Sequence, residues 1–244
     1  MQAEKKLKET DAIFAQLKEV NEAADRDDEV LRISMDAKAA VKVGLFSRNG
    51  KTRVPRNAWD HDFKAICILT PYAFLLPRFD DLSIFIATSS VTSDFIVDML
   101  ERLWLNLKGR FPKVKCLVLN QDNGPENQSR RTQFIKRLIE FVDKHRIEVR
   151  LAYYPPYHSK YNPVERCWGA LEHHWNGEIL DEVRTAVEYA RTMKWCGVQP
   201  MVELVNAKYV KGVRLPAKEM NELEKRLTRD SKLPKWFVTI RPKL

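Results

Sequence analysis

The sequence predicts an α/β protein in which helices flank a mixed sheet and a basic, mainly helical C-terminal region follows. Three observations carry that prediction. From about residue 29 the apolar residues recur with period two, the mark of half-buried strands. After residue 91, helical apolar stripes alternate with short, fully apolar runs, and beyond Trp175 the helical period dominates. With 44% hydrophobic and 31% charged residues, and only 8 Gly and 12 Pro among 244, neither a disordered tract nor a fibrous repeat accounts for the chain.

Residues 3–24 place Leu7, Phe14, Leu17 and Ala24 on one helical stripe that ends at the acidic run "DRDDE", so residues 1–28 read as an N-terminal helix or linker stump. The segment "EVLRISMDAK" sets Leu31, Ile33 and Met35 against Arg32, Ser34 and Asp36, a strand that ends at an aspartate. "VKVGLFS" reads as a second strand closed by the Asn49-Gly50 turn signal, and "FKAICIL" and "YAFLLP" as two weaker ones. "LSIFIATSS", apolar on both faces, suits a central strand. Thr92 or Ser93 then caps a helix with Ile96, Met99, Leu100, Leu103 and Leu107 on one face. "KVKCLVLNQD" is a buried strand that stops at Asp122, before the Asn123-Gly124 turn. "SRRTQFIKRLIEFVDKH" is an amphipathic helix, and "EVRLAYY" is a further strand. Several strands followed by helix, strand, helix, strand and helix match a ribonuclease H-like core over residues 29–176. There are more strand candidates than the five that core needs, which makes the hairpin around residues 50–77 an insertion or a misreading. Residues 177–244 form the basic, mainly helical extension, with "LDEVRTAVEYARTM" and "KEMNELEKRLTR" as its helices.

The formal net charge is +9. Residues 1–30 hold five basic and nine acidic side chains, so the rest of the chain carries +13, and residues 206–244 alone hold eleven Lys or Arg against four Asp or Glu. Such a field attracts polyanions, nucleic acid above all, although a merely solvated basic surface has the same composition. Four scattered cysteines, Cys67, Cys116, Cys167 and Cys196, lack the close spacing of a zinc or redox motif. With no signal-like or membrane-length apolar run, the expectation is a reduced, cytoplasmic protein with no membrane partner.

Three acids stand out by position. Asp36 ends the first strand, Asp122 ends a buried one, and Glu165 opens the helix after the loop "YYPPYHSKYNP". If strand ends gather at one sheet edge, these carboxylates can converge, and converging carboxylates repel unless a cation such as Mg²⁺ lies between them. Each also has a plain structural reading. Asp122 suits a turn and Asp36 a strand end, while Asn162, Pro163 and Glu165 fit the N-cap, first position and capping-box position of a helix. Asn123 and Asn127 are candidates for orienting the loop around Asp122.

The segments "LNQDNGPENQSRRTQF", "LAYYPPYHSKYNPVERCWGALEHHWNG" and "MVELV" closely resemble the Rhodopirellula-type DDE transposases of insertion sequences, distant relatives of mariner-like enzymes. The likeness runs from about Ile33 to the C-terminus and is densest from Leu117 to Gly177. It implies a ribonuclease H-like fold in which Asp36, Asp122 and Glu165, the last two separated by 42 residues, hold two divalent ions, Mg²⁺ or Mn²⁺. It also implies hydrolysis at a transposon end, strand transfer through the released 3′ hydroxyl, DNA as partner, and action as a homo-oligomer on DNA. His158, Lys160, Arg130 and Arg131 are candidate DNA contacts. Members of the family normally carry further sequence before the catalytic region, so a truncated, catalytically silent DNA-binding remnant is the competing expectation. An aspartyl-phosphate phosphatase built on Asp36 is disfavoured, because "DAK" lacks a second aspartate two positions on.

Overall fold

Strand β1, Val30–Ala37, is the axis of the molecule. Its alternation sends Leu31, Ile33 and Met35 into the main core, with Ile33 and Met35 wholly buried. Full burial of such side chains contributes about 1.5–3 kcal/mol each. Ser34 and Asp36 point to the opposite side of the strand. The computed structural model describes residues 7–48, 51, 58 and 63–243.

β1 runs antiparallel to β3, Cys67–Leu76, which is antiparallel in turn to β4, Asp81–Ala87. On its other side β1 pairs in parallel with β5, Cys116–Gln121, and β5 with β6, Glu148–Tyr153. The order β4-β3-β1-β5-β6 is the ribonuclease H-like arrangement expected from the sequence. Parallel neighbours need crossovers, and α2, Ser93–Leu107, and α3, Thr132–His145, supply helices between β4, β5 and β6. α2 starts where Thr92 accepts the Phe95 N–H at 3.3 Å. α3 ends where Arg146 turns left-handed, with φ 54°. α1, Thr10–Arg26, packs on β1 and β6, with Arg32 of β1 gripping Asp25 through two nitrogens.

Part of the strand surplus resolves as a misreading. "FKAICIL" and "YAFLLP" run into the single strand β3, which has Pro71 in its interior. Pro71 sits where β3 changes partner: Cys67–Leu69 pair with β2, Val41–Val43, and Tyr72–Leu75 pair with β1. A residue without an N–H is tolerated at such a handover. The Asn49-Gly50 turn lies outside the described residues.

The C-terminal region departs from the mainly helical expectation. It does carry α5, Val183–Thr192, and α6, Ala217–Glu224. Between and after them, β7, Met201–Val205, joins β4 in parallel, while β8, Leu227–Arg229, and β9, Phe237–Ile240, extend the other edge beyond β6. Short strands of three to five residues leave too little alternation to register in the sequence. The sheet thus reaches nine strands among the described residues.

A second core, under α5 and α4, Glu165–Trp175, buries Val164, Cys167, Trp168, Leu171 and Trp175 against β2, β3 and β4. The chain leaves α4 through Gly177 at φ +78°, where an added Cβ would stand 2.7 Å from the Lys51 carbonyl oxygen. Gly177→Ala is therefore expected to cost about 1–3 kcal/mol, read as a lowered urea midpoint at unchanged slope. No helix of the described residues is long and apolar enough to cross a membrane.

Candidate active site

The C-terminal ends of β1 and β5 lie side by side, since the two strands are parallel neighbours. Asp36 and Asp122 therefore open onto one cavity of about 230 Å³, lined also by Tyr72, Ile96, Gly124 and Asn127. Burial, helped by the charges of Glu165 and Asp122, pushes the Asp36 carboxyl up to about 7 despite a hydrogen bond from Trp168. All three sequence-predicted acids thus share one electrostatic neighbourhood. Their oxygens do not form a closed ligand group: among the described residues no three His, Cys, Asp or Glu side chains stand together around one point.

Each acid is held differently. Trp168 Nε1 donates to Asp36 Oδ2 at 2.9 Å. Asn127 Nδ2 donates to Asp122 Oδ1 at 3.1 Å and to Gln121 Oε1 at 3.1 Å, while the Tyr153 hydroxyl donates to the Asn127 carbonyl at 2.7 Å. Asn127 thus orients Asp122, as the sequence suggested, whereas the buried side-chain oxygen of Asn123 has no hydrogen-bond partner among the described residues. Gly124 closes the turn against this carboxylate: a Cβ there would lie 3.3 Å from both Asp122 oxygens and 2.9 Å from Asn127 Oδ1. Gly124→Ala is expected to displace Asp122 and weaken Mn²⁺ binding about tenfold, measured by titration calorimetry, with little change in melting temperature.

Glu165 corrects the capping-box expectation. It is the first residue of α4, its N–H bonds to the Asn162 carbonyl at 3.0 Å, and its carboxylate makes no hydrogen bond to its own helix end. Asn162 does not cap with its side chain either. Its amide nitrogen donates to the Met35 carbonyl at 3.1 Å, and its amide oxygen accepts from the Ser34 hydroxyl. The Ser34 oxygen itself takes the Val164 N–H at 3.0 Å, so β1 supplies the cap that Asn162 was expected to give.

The three acids fit a hard cation. They offer oxygen donors only, and among the described residues none pairs with a Lys or Arg. Nearby carboxylates are compensated: Glu126 pairs with Arg131 at 3.2 Å, and Glu172 with Lys38 at 2.6 Å and Arg48 at 3.1 Å. The buried Tyr72 hydroxyl on the same cavity also lacks a partner among the described residues, and Asp36 and Asp122 together with burial hold its pKa well above the usual phenol range.

The four basic candidates separate by environment. Arg130 and Lys160 are exposed, the latter stacked over the Tyr161 ring at 5.4 Å. His158 is tied down, with Nδ1 2.8 Å from the Pro156 carbonyl and its ring edge-on to Phe14 of α1. Arg131 turns inward, 13% exposed, onto Glu126. Ser34, Tyr153 and Trp168 escaped the sequence reading. Ser34 was legible as a polar residue two before Asp36 on the same strand face, and Trp168 as the helical neighbour of Glu165 at the three-residue spacing.

Solved structures with this fold include a Mos1 transposase paired-end complex with the left transposon end. It matches with a TM-score of 0.53 and 11% identity, over 78% of this chain and 55% of that one. A Mos1 mariner paired-end complex with Mn matches at 0.51 and 11%, over 76% and 54%. At such identity the likeness concerns the fold, and this chain spans about half the length of those transposases. No curated protein matches the chain. A family model described as the Rhodopirellula transposase DDE domain matches residues 1–242, and the chain belongs to that family.

Proposed function

We propose that the chain is the catalytic part of a DNA transposase that cleaves strands at transposon ends and joins the released 3′ hydroxyl to target DNA. Asp36, Asp122 and Glu165 are the residues that hold its two divalent ions, Mg²⁺ or Mn²⁺. The observation that supports this most is the meeting of Asp36 and Asp122 on one cavity, uncompensated by any Lys or Arg among the described residues, with Glu165 adding its charge, in a chain of the DDE family. Such ions, when bound, activate an attacking hydroxyl and stabilise the leaving oxygen of a phosphodiester.

The chain's own part is to keep these oxygens in place and to hold DNA against them. Trp168 occupies Oδ2 of Asp36, and Asn127 and Gly124 fix the direction of Asp122. Asp36 serves as a ligand only when ionised, and in the metal-free protein burial keeps a proton on it up to about pH 7, so divalent-ion binding is expected to weaken as the pH falls below neutral. The exposed Lys160 and Arg130, each within eight residues of one of the acids in the chain, suit phosphate contacts, with His158 set against Tyr161. One solved Mos1 structure is a paired-end complex with the left transposon end, and another is a paired-end complex with Mn. By that analogy this chain acts on DNA as a homo-oligomer, in the cytoplasm at the nucleoid.

Purified protein incubated with labelled transposon-end DNA in Mg²⁺ or Mn²⁺ tests the reading. Cleavage that disappears in Asp122→Asn supports it. DNA binding without cleavage in either metal would make the chain a silent DNA-binding remnant instead.

A further inference from the structure

Asn162, Glu165 and Trp168 are spaced three residues apart across the start of α4, so they line one side of the chain there. That side faces β1. Asn162 and Trp168, the outer two, are both bonded to β1: Asn162 to the Met35 carbonyl and the Ser34 hydroxyl, Trp168 to Asp36 Oδ2. Glu165, between them, has no hydrogen-bonded side-chain partner among the described residues, yet its charge is felt at Asp36.

The polar groups of this contact are sealed from water. Ser34 is 0%, Asn162 1% and Trp168 6% exposed. The Ser34 oxygen both donates to Asn162 and accepts the Val164 N–H, so the residue directly before Glu165 is fixed by its backbone to the strand that carries Asp36. Buried polar groups that satisfy one another in this way admit one relative placement of their elements, because sliding either element strands several donors at once.

We infer that Ser34, Asn162 and Trp168 form a clasp that sets the placement of Glu165 relative to Asp36, and that they are positioning residues for divalent-ion binding at the acidic site. Ser34 and Asn162 fix the backbone entry to Glu165. Trp168 fixes the Asp36 carboxylate it faces through Oδ2. The inference rests on the reading of the three acids as ion ligands, and its geometric part can be tested without that reading.

Two measurements on the full chain separate these parts. In the metal-free protein, amide hydrogen exchange should show a strongly protected Val164 N–H that loses protection selectively in Ser34→Ala, with other β1 amides unchanged. Mn²⁺ binding, followed by electron paramagnetic resonance of the free ion, should weaken about tenfold or more in Trp168→Phe and in Asn162→Ala while both variants melt cooperatively. Cleavage by Trp168→Phe should recover as Mn²⁺ is raised, a rescue that a merely unfolded variant would not show. A rapidly exchanging Val164 amide in the parent protein, or parental Mn²⁺ affinity in both well-folded variants, overturns the clasp and leaves the acidic site standing. Equal, negligible Mn²⁺ binding by the parent chain and by Asp122→Asn would overturn the ion-site reading and the ion-positioning role with it, while exchange at Val164 would still report on the contact.

Discussion

Asp122→Asn is expected to reduce metal-dependent DNA cleavage by about 10³-fold or more, with the melting temperature held within a few degrees. The substitution keeps the volume of the side chain and an oxygen able to accept from Asn127 Nδ2, so the turn through Gly124 has no reason to reorganise. What it removes is one negative charge from a site that depends on several. A tenfold loss in rate corresponds to about 1.4 kcal/mol, so 10³ asks this charge for about 4 kcal/mol, within the several kcal/mol that a bound metal supplies to phosphoryl chemistry. Gel analysis of end-labelled DNA reads the outcome. Cleavage within a few-fold of the parent would show that Asp122 is the turn residue its Asn-Gly neighbours also suggest.

The second large effect runs the other way: Asp36→Asn should abolish cleavage and stabilise the metal-free protein. Asp36 titrates near 3.8 when unperturbed and near 7 in the fold, with desolvation the leading cause. Between those values the folded state holds a proton that the unfolded chain has released. Stability therefore falls as pH rises through that window and levels off above it. At about 1.4 kcal/mol per unit, the penalty at pH 8 amounts to as much as roughly 4 kcal/mol. An asparagine there can still accept the Trp168 N–H and carries no charge to desolvate. Urea denaturation of both proteins at pH 4.5 and pH 8 should show a stability difference in favour of the variant that is small at the lower pH and grows to several kcal/mol at the higher. A variant less stable than the parent at pH 8, or a difference that ignores pH, would contradict the burial and crowding ascribed to Asp36.

The two predictions together describe an acidic site that costs stability where it confers chemistry. Stability is given up locally at a cavity rim and supplied elsewhere, by cores such as the one around Ile33, Met35 and Phe95.

Much of this arrangement was legible in the sequence, and for identifiable reasons. The alternation of β1, the uniform burial of β5 and the apolar stripe of α3 each present a period strong enough to stand without tertiary help. Asp36 and Asp122 could be singled out because a charged residue closing a buried strand is an exception to its surroundings. β3 reads as two segments in the sequence, and the handover from β2 to β1 explains how Pro71 fits between them in one strand. β7, β8 and β9 were missed because they are too short to show a period and owe their extended form to partners distant in sequence. The capping box around Glu165 was a sound local reading that a tertiary contact displaced: Ser34 takes the Val164 N–H, and Asn162 is drawn to β1. Local rules describe what a segment does alone, and this segment is not alone.

The central claim is that the carboxylates of β1, β5 and α4 serve a shared cation. Anomalous diffraction from crystals grown with Mn²⁺ tests it most directly. The account predicts a manganese peak bridged by Asp36 and Asp122, with the Glu165 carboxylate turned in to join them. A protein saturated with Mn²⁺ at other positions, with nothing between the two aspartates and no manganese at Glu165, would contradict it.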